Sequence, residues 1–501
     1  MKKTVILITL IVCFLFSACS SGREKLINAE NYEGMALEHI SLKTANSSKK
    51  PQEDETIPKL SETTSMESLN FENITKKTKE IQTAENTKKA KENSASSSYP
   101  LDNINSPNIP TTASASSAPN TDQTETPFLP GTSSYAALNH DQVYGIWISY
   151  LELGGILMGK SESSFRNSFS DMMDKCTDFG INTAFVQVRP FGDALYQSEF
   201  FPWSKYAGGN IGTSPGFDPL KIMIEEAHNR NISVHAWINP LRLSADADMM
   251  KINDKYETAV WYNGVQKGDY IVKFGDNWYL NPAYKGVRNL IALGASELTA
   301  NYNLDGLHID DYFYPTTDAS FDEKSFKESG SDSLSEFRFD NINKLVKEIK
   351  KSVKTSNSSA LFGISPQGSI ENNINNLYAD VNRWGNDISY CDYIAPQIYY
   401  GFDNQTQPYE ECLSRWEKLT QNSEVKLIVG LAAYKIGKED QWAGTGKAEW
   451  QKNSDILARQ ISLAKQKGSF GISFFSYDYL FGSEAQSAAV ISEKNEIKKE
   501  S

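Results

Sequence analysis

The sequence predicts an α/β protein whose folded part is a (β/α)8 TIM barrel with enlarged βα loops, preceded by a long disordered linker. Three observations lead to this prediction. Eight short apolar runs alternate with amphipathic helical stretches after residue 143. Most of these runs end in a polar side chain, and the preceding residues 20–140 offer little that could form a core. We therefore expect a folded catalytic domain at residues 141–485 and a polar tail at residues 486–501, which is either a final solvated helix or a loose segment.

The first residues have the pattern of an export signal. Lys2 and Lys3 precede an apolar run over residues 5–16, and small residues lead to Cys19. This ending resembles the signal of bacterial lipoproteins, in which cleavage leaves the cysteine as a lipid-carrying N-terminus. We expect a lipoprotein signal at residues 1–19 and lipid anchoring through Cys19 to the outer side of the bacterial cell membrane. The alternatives are an ordinary secretory signal and a single membrane helix, although the run is shorter than the ~20 residues that a membrane helix needs.

Residues 20–140 are rich in Ser, Thr, Asn, Lys, Glu and Pro. Their few apolar side chains cannot offset the entropy lost on ordering, so we expect a disordered spacer. The formal net charge of −13 argues against a nucleic-acid partner. Only Cys176, Cys391 and Cys412 remain for the folded part, and they form no Cys/His cluster in the sequence. We therefore predict neither a disulfide scaffold nor a metal site, and no cofactor.

The apolar runs have the length of buried strands, and the stretches between them have the period of helices. The predicted strands cover residues 144–150, 182–188, 232–240, 305–310, 361–368, 393–400, 426–434 and 471–477. The predicted helices cover residues 164–180, 219–230, 287–302, 338–353, 379–385, 412–420 and 454–467. A long excursion at residues 241–284 carries Trp261, Tyr262, Trp278 and Tyr279, which suit either the wall of a sugar cleft or a packed surface loop.

Polar side chains stand at the C-terminal ends of six predicted strands. They are Arg189, Asn239, Asp310, Gln367, Gln397 and Tyr434. In a barrel these ends converge on one mouth, where enzymes of this fold keep their active site. The fourth strand is the richest, because it places His308 and Asp310 on one face and continues into Asp311 and Tyr312.

Seven motifs in order resemble the bacterial glycosyl-hydrolase-like family 10, which contains exported proteins and lipoproteins. They begin at Tyr144 (YGIW), Phe185 (FVQVRP), His235 (HAWINP), Tyr279 (YLNP), Asp305 (DGLHIDDYFYP), Ile364 (ISP) and Ala395 (APQIY). The resemblance implies a barrel hydrolase. A branch of the family acts on peptidoglycan glycan strands stripped of their stem peptides, so the resemblance also implies a polysaccharide substrate, with cell-wall glycan as the expected one.

The fourth strand also looks like the chitinase signature DGxDxDxE, and residues 397–400 are similar to the strand-six motif of that family. In chitinases the final Glu is the acid and the acetamido group of the substrate attacks. Tyr312 stands at the Glu position here, so Asp311 would have to be the acid under that mechanism.

Glycoside hydrolysis needs a carboxylic acid and either a carboxylate or an assisting substrate group. We assign Asp310 and Asp311 as the catalytic pair and leave open which one is the acid, with Asp193 and Asp403 in reserve. Arg189 would hold a carboxylate through its planar fork. The expected substrate-binding residues are Arg189, Asp193, Trp237, Asn239, His308, Tyr312, Gln367, Gln397, Tyr399, Tyr400, Asp403, Tyr434 and Tyr477.

Two other functions fit the same pattern. His308, Asp310, Asp311 and His235 could hold a metal ion in a polysaccharide deacetylase. Alternatively, the barrel could bind glycan without cleaving it, because a fold alone does not establish activity.

Overall fold

The computed structural model describes residues 131–421 and 423–500, and it confirms the predicted barrel. Eight parallel strands close in the order β1-β2-β3-β7-β8-β9-β10-β11 and back to β1. The barrel strands are β1 (Val143–Ile148), β2 (Thr183–Arg189), β3 (Ser233–Ile238), β7 (Gly306–Ile309), β8 (Leu361–Ile364), β9 (Tyr393–Ile394), β10 (Lys426–Ala432) and β11 (Gly471–Phe475). Three further strands, β4 (Arg242–Ala245), β5 (Ile271–Phe274) and β6 (Asn277–Leu280), form a separate antiparallel sheet.

Helices follow the barrel strands, as a (β/α)8 barrel requires. The longer ones are α1 (Tyr150–Leu157), α2 (Glu162–Asp178), α4 (Pro219–His228), α7 (Lys285–Asn301), α9 (Leu334–Ser356), α10 (Ile370–Leu377), α12 (Tyr409–Thr420), α14 (Ile456–Gln466) and α16 (Ala488–Glu500). The shorter ones are α3 (Lys205–Gly208), α5 (Asp246–Met249), α6 (Glu257–Asn263), α8 (Glu323–Ser329), α11 (Val381–Trp384), α13 (Glu449–Lys452) and α15 (Tyr477–Phe481). Short 3-10 turns cover Ala319–Phe321, Ala433–Lys435, Gly444–Gly446 and Ser483–Gln486. Among residues 131–421 and 423–500, no helix is long and apolar enough to cross a membrane.

Strand β9 is much shorter than predicted, because Pro396 interrupts it. Proline has no N–H to donate to a neighbouring strand. Only Tyr393 and Ile394 pair regularly, although the Gln397 N–H still donates to the Pro366 carbonyl at 2.9 Å and the Pro396 carbonyl still accepts from Gly430 at 3.0 Å. The residues after Pro396 therefore continue along the barrel wall and reach its mouth.

Large rings fill the barrel interior, and glycines in the strands make room for them. A Cβ on Gly363 would lie 1.8 Å from the ring of Tyr393, and one on Gly306 would lie 2.4 Å from Nδ1 of His235. Glycine at these two positions lets the rings sit directly against neighbouring backbone. The lower barrel is consequently a solid core beneath the mouth, as the layered packing of such barrels requires.

Two histidines of this core are joined by the hydroxyl of Tyr393. The Trp147 indole N–H donates to Nε2 of His308 at 3.2 Å, so the proton of that ring is on Nδ1, which lies 3.0 Å from the tyrosine oxygen. The tyrosine hydroxyl then donates to Nδ1 of His235 at 2.8 Å. Burial lowers the pKa of both histidines, that of His235 to about 4. Both rings are therefore neutral at physiological pH.

The segment before β1 is attached to the barrel from about residue 133, so the expected linker ends earlier than residue 140. The Tyr135 hydroxyl and the Leu138 N–H donate to Oδ1 of Asp305 at 2.8 and 2.6 Å. The other carboxylate oxygen of Asp305, which is fully buried, accepts from the Val234 N–H and lies 2.8 Å from Nε2 of His228. The earlier part of the predicted linker, the predicted signal and Cys19 lie outside the described residues.

The final segment is a helix, one of the two forms expected for the polar tail, but one side of it is packed rather than solvated. Helix α16 buries Val490, Glu493 and Ile497. The Glu493 carboxylate accepts from the N–H groups of Ile456 and Ala458, each at 3.1 Å, at the start of α14. Burial raises the pKa of Glu493 to about 7.

The excursion at residues 241–284 is a packed subdomain built on the β4-β6-β5 sheet. Its four predicted cleft aromatics are buried, with exposures of 5–6%. The Asp246 carboxylate ties two of them together, because its Oδ1 accepts from the Tyr262 hydroxyl at 2.9 Å and from the Trp278 indole at 2.7 Å. The packed-loop alternative is therefore the correct one for these rings.

Candidate active site

Asp310 lies at the end of β7 and is almost fully buried, with 3% of its surface exposed. Its Oδ2 accepts from the Trp237 indole N–H at 3.0 Å and from the Asn239 amide at 2.8 Å. Its Oδ1 accepts from the Tyr312 N–H at 3.3 Å. Both side-chain donors come from β3, the strand that pairs with β7: Trp237 lies within β3, and Asn239 directly follows it. The carboxyl group is thus fixed in one orientation by the neighbouring strand.

Asp311 is half-buried and is held by two glutamines from the next strands along the barrel wall. Gln367 donates to Oδ2 at 2.9 Å, and Gln397 donates to Oδ1 at 3.0 Å. Each glutamine has a second contact, since Gln367 accepts from Asn372 and Gln397 donates to the Ser365 carbonyl at 3.3 Å. Two amide donors on two carboxylate oxygens favour the ionised form.

The two carboxyl groups hold protons more strongly than an exposed aspartate does. Burial raises the pKa of Asp310 well above its usual range, and the neighbouring charge of Asp311 raises it further. Burial also raises the pKa of Asp311, while the hydrogen bonds from Gln367 and Gln397 act in the opposite direction. Burial and the neighbouring charge therefore favour the protonated form at Asp310, whereas the two glutamine amides partly offset burial at Asp311.

Arg242 is the cation of this site, and the sequence analysis missed it. It is buried at the start of β4, with its Cζ atom 4.4 Å from the centre of the Phe191 ring and 4.7 Å from that of Tyr312. Its positive charge opposes the rise in the pKa of both Asp310 and Asp311. One feature of the sequence could have indicated Arg242, because it comes three residues after Asn239, which lies at the end of the third predicted strand.

Arg189 does not face the mouth as predicted. The pairing of β2 with β3 shifts register between Gln187 and Arg189, and such a bulge re-aims the side chains that follow it. The guanidinium packs on Phe201 at 4.3 Å, and a Cβ on Gly294 of α7 would lie 2.6 Å from its Nη1. Arg189 therefore occupies the layer between the barrel and its helices.

Gln187 takes the inward position on β2 instead. Its amide donates to Oδ1 of Asn239 at 2.7 Å, and its own Oε1 accepts from the Tyr150 N–H at 3.2 Å. This buried amide orients Asn239, which then donates to Asp310. The sequence shows Gln187 at a strand end, but it does not show that Gln187 replaces Arg189 there.

Three further predicted residues lie apart from the carboxyl pair. Asp193 is buried in its own loop, where Oδ1 accepts from the Phe191 N–H at 2.9 Å, and burial raises its pKa. Tyr477 begins helix α15, and its ring packs against Phe481 at 5.2 Å. The Asp403 side chain is exposed. Its backbone N–H donates to the carboxylate of the buried Glu449 at 2.9 Å.

An aromatic wall stands on the opposite side of the barrel from β3. The Tyr399 ring lies 5.8 Å from that of Tyr434 and 5.7 Å from that of Phe475, whose peptide bond to Ser476 is cis. Tyr399, Tyr434 and Tyr400 are all half-buried. This wall adjoins Gln397, and it is the part of the expected sugar-binding set that the structure places together.

The two histidines proposed as metal ligands do not lie at the mouth. His308, expected among the substrate-binding residues, is fully buried one layer below Asp310 and bonded to Trp147 and Tyr393, and His235 is bonded to the same tyrosine. In the described part of the chain, no group of three or more His, Cys, Asp or Glu side chains could hold a metal ion. The donor set of the deacetylase alternative is therefore not assembled here.

Buried Arg338 secures the loop that follows the acidic pair. Its Nη2 and Nε atoms bind the Asp322 carboxylate at 2.6 and 2.9 Å, and both side chains are fully buried. The same guanidinium donates to the carbonyls of Thr316 and Asp318 at 3.1 and 2.7 Å. The mouth is consequently bordered at β7 by a fixed loop.

The chain is similar to known proteins in sequence and, more distantly, in structure. The chain is 32% identical to the glycosyl hydrolase YngK of Bacillus subtilis (strain 168) over 336 residues, which cover 63% of this chain and 64% of YngK. It is 31% identical to the glycosyl hydrolase DigH of Escherichia coli (strain K12) over 347 residues, 64% of this chain and 78% of DigH. The glycoside hydrolase domain of PgaB (BpsB) from Bordetella bronchiseptica aligns with a TM-score of 0.47 and 11% identity, covering 72% of this chain and 99% of that domain.

The family model for glycosyl hydrolase-like 10 matches residues 142–445. This range includes β1 through β10 and every side chain that contacts the two carboxyl groups. It also contains all seven motifs on which the predicted resemblance rests. The chain therefore belongs to the glycosyl hydrolase-like 10 family.

Proposed function

We propose that this protein is a glycoside hydrolase that cleaves glycosidic bonds in an amino-sugar polysaccharide, with Asp310 and Asp311 as its catalytic residues. The observation that carries the proposal is the pair itself. Two adjacent carboxyl groups stand at the barrel mouth, each fixed by two side-chain donors, and burial raises the pKa of both. Groups with such raised proton affinity in a cleft are candidates for acid–base chemistry.

The two members have different roles in this proposal. Asp310 donates a proton to the glycosidic oxygen as the bond to the sugar breaks, a water molecule supplies the hydroxyl group that ends on the sugar carbon, and the proton lost by that water restores Asp310. Asp311 is ionised, half-exposed and held by Gln367 and Gln397, so it faces the positive charge that develops on the sugar ring. The hydrogen bonds from Gln367 and Gln397, and to a smaller extent the charge of Arg242, oppose the rise in the pKa of Asp311 that burial causes.

An aryl glycoside of N-acetylglucosamine with a good leaving group separates the two roles. Such a substrate does not need a proton on its departing oxygen, so Asp310→Asn is expected to keep much more of its activity on this substrate than on a glycan. Asp311→Asn is expected to lose activity on both substrates. The role assignment is wrong if Asp311→Asn is active on the aryl glycoside and Asp310→Asn is not.

We also propose bacterial cell-wall glycan, and in particular peptidoglycan stripped of its stem peptides, as the substrate. Membership of the glycosyl hydrolase-like 10 family and the relatives named glycosyl hydrolase support the general class. The half-buried rings of Tyr399, Tyr400 and Tyr434 beside the pair suit a sugar chain, because each offers an apolar ring face at a wet surface.

Release of reducing ends tests this proposal. The purified protein is incubated with denuded glycan strands, with intact peptidoglycan and with chitin oligosaccharides. Asp178→Asn is the matched control, because Asp178 is an exposed carboxylate at the end of α2. Wild type and Asp178→Asn should release reducing ends from denuded strands, and Asp310→Asn and Asp311→Asn should not. Failure of the wild type on all three substrates would overturn the proposal, and binding without cleavage would make the protein a glycan-binding one.

We further propose that the protein is exported and held at the membrane by lipid on Cys19. The support is the sequence pattern of Lys2 and Lys3, the apolar run and the small residues before Cys19. Cells that express the full chain and are fed an alkyne palmitate should label the wild type and Cys13→Ser but not Cys19→Ser. Label on Cys19→Ser, or none on the wild type, would contradict the proposal.

A further inference from the structure

Trp442 is exposed to solvent on the loop between β10 and α13. The chain has nine tryptophans, all within the described residues. Seven are buried and Trp203 is half-buried, whereas 61% of the Trp442 surface is exposed. Trp442 differs in this respect from the other tryptophans, and its exposed indole offers a flat apolar face at a wet surface.

The loop that carries Trp442 is fixed rather than loose. Buried Asp440 accepts from the Trp442 N–H at 3.2 Å and pairs with buried Lys435 at 2.9 Å. The Lys435 ammonium also donates to the Tyr399 carbonyl at 2.8 Å. Tyr399 follows Gln397 by two residues. These contacts therefore link Trp442 to the segment after β9, in which Gln397 donates to Asp311.

The same loop packs against the loop that follows β9. The Gln405 N–H donates to the Ala443 carbonyl at 3.1 Å, and Oε1 of Gln405 accepts from the Thr445 N–H at 3.3 Å. Both loops follow the C-terminal ends of barrel strands, so both border the mouth. Trp442 is thus held at the rim, on the side of the tyrosine wall.

We propose that Trp442 is the stacking platform of an outer sugar subsite, which takes one pyranose ring of a β-linked amino-sugar chain that runs from the carboxyl pair. One face of such a ring presents axial C–H groups and is apolar, and it matches an indole face in size. The subsite rests on the proposed function for the identity of its ligand. It adds length specificity, because only a chain that extends beyond the tyrosine wall reaches Trp442.

Binding measurements on the full chain carrying Asp311→Asn test this subsite without cleavage. The probes are chitobiose and chitohexaose, followed by calorimetry and by tryptophan fluorescence. Adding Trp442→Ala should weaken chitohexaose binding by about tenfold, the loss of about 1.4 kcal/mol of stacking and burial. Chitobiose binding should change much less, and Trp442→Phe should recover part of the loss. The matched control is Ile491→Ala, which truncates another exposed side chain, on α16.

Equal affinity of the Trp442→Ala and parent proteins for chitohexaose would overturn the subsite, and so would equal losses for the two probes. Neither result would affect the proposed hydrolysis, which the wild-type reducing-end assay tests separately. If the wild type bound chitohexaose through Trp442 but cleaved nothing, the hydrolase proposal would fail and the subsite would stand. Absence of any binding by the parent protein would overturn the subsite directly.

Discussion

Trp237→Phe tests whether the proton affinity of Asp310 controls activity. The substitution removes the indole N–H that lies 3.0 Å from Oδ2 of Asp310 and leaves the Asn239 bond to the same oxygen. Hydrogen bonds to charged groups contribute roughly 1.5–3 kcal/mol. Since one pKa unit corresponds to about 1.4 kcal/mol, the pKa of Asp310 should rise by about 1–2 units.

The sign of the effect follows from which form loses its partner. The indole stabilises the ionised carboxylate, so its removal keeps Asp310 protonated to higher pH. If Asp310 is the acid, the basic limb of the pH profile of kcat/KM should move upward by about 1–2 pH units. The assay is the initial rate of reducing-end release from denuded glycan between pH 4 and pH 10.

Trp147→Phe is the matched control for this experiment. It removes the same group from the barrel interior one layer lower, where the indole donates to His308 at 3.2 Å and does not contact Asp310. The basic limb of this variant should coincide with that of the wild type. A Trp237→Phe profile that stays in place or moves to lower pH, or an equal shift in both variants, would refute the reasoning.

Three further outcomes are expected from the barrel and its loops. Asp310→Asn should become more stable relative to wild type as pH rises above the usual aspartate pKa of about 4, because the folded-state pKa of Asp310 is raised and its ionisation therefore favours unfolding. Urea titrations at pH 4 and pH 8 measure the free energy of unfolding of both proteins. The same difference in this free energy at the two pH values would contradict the prediction. Arg338→Ala should lower the free energy of unfolding by about 3–5 kcal/mol, because it leaves the buried charge of Asp322 without its partner. A loss below about 1 kcal/mol would show that water replaces the guanidinium. Gly363→Ala should cost about 1–3 kcal/mol in the same titration, because its Cβ would lie 1.8 Å from the Tyr393 ring, and wild-type stability would mean that the ring moves freely.

The fold was predictable because each barrel strand is an apolar run with a helix after it. Alternation along β7 also predicted which side chains share a face, so His308 and Asp310 point into the barrel as the sequence indicates. Gln367 and Gln397 follow from the same argument, since the ends of adjacent parallel strands meet. The sequence could not show the donor geometry, which depends on the register between strands.

Arg189 and Arg242 show where this argument stops. Alternation puts Arg189 on the inner face with Gln187, but the register shift between them turns the guanidinium outward. Arg242 reaches the carboxyl pair from β4, whose partner β6 is formed more than thirty residues later along the chain. No local period predicts a contact that depends on a separate antiparallel sheet, so the cation of the site could be found only in the folded structure.

The attachment of residues 133–139 beneath the barrel has a consequence for the direction in which the mouth would face under the proposed anchoring. Asp305, Val234 and Ser359 lie at the N-terminal ends of barrel strands, whereas Asp310 and Asp311 lie at the opposite ends. Tyr135 and Leu138 are therefore attached at the pole opposite the mouth. A surface to which the N-terminal side is tethered would meet the closed pole, and the catalytic opening would point away from it toward material farther out.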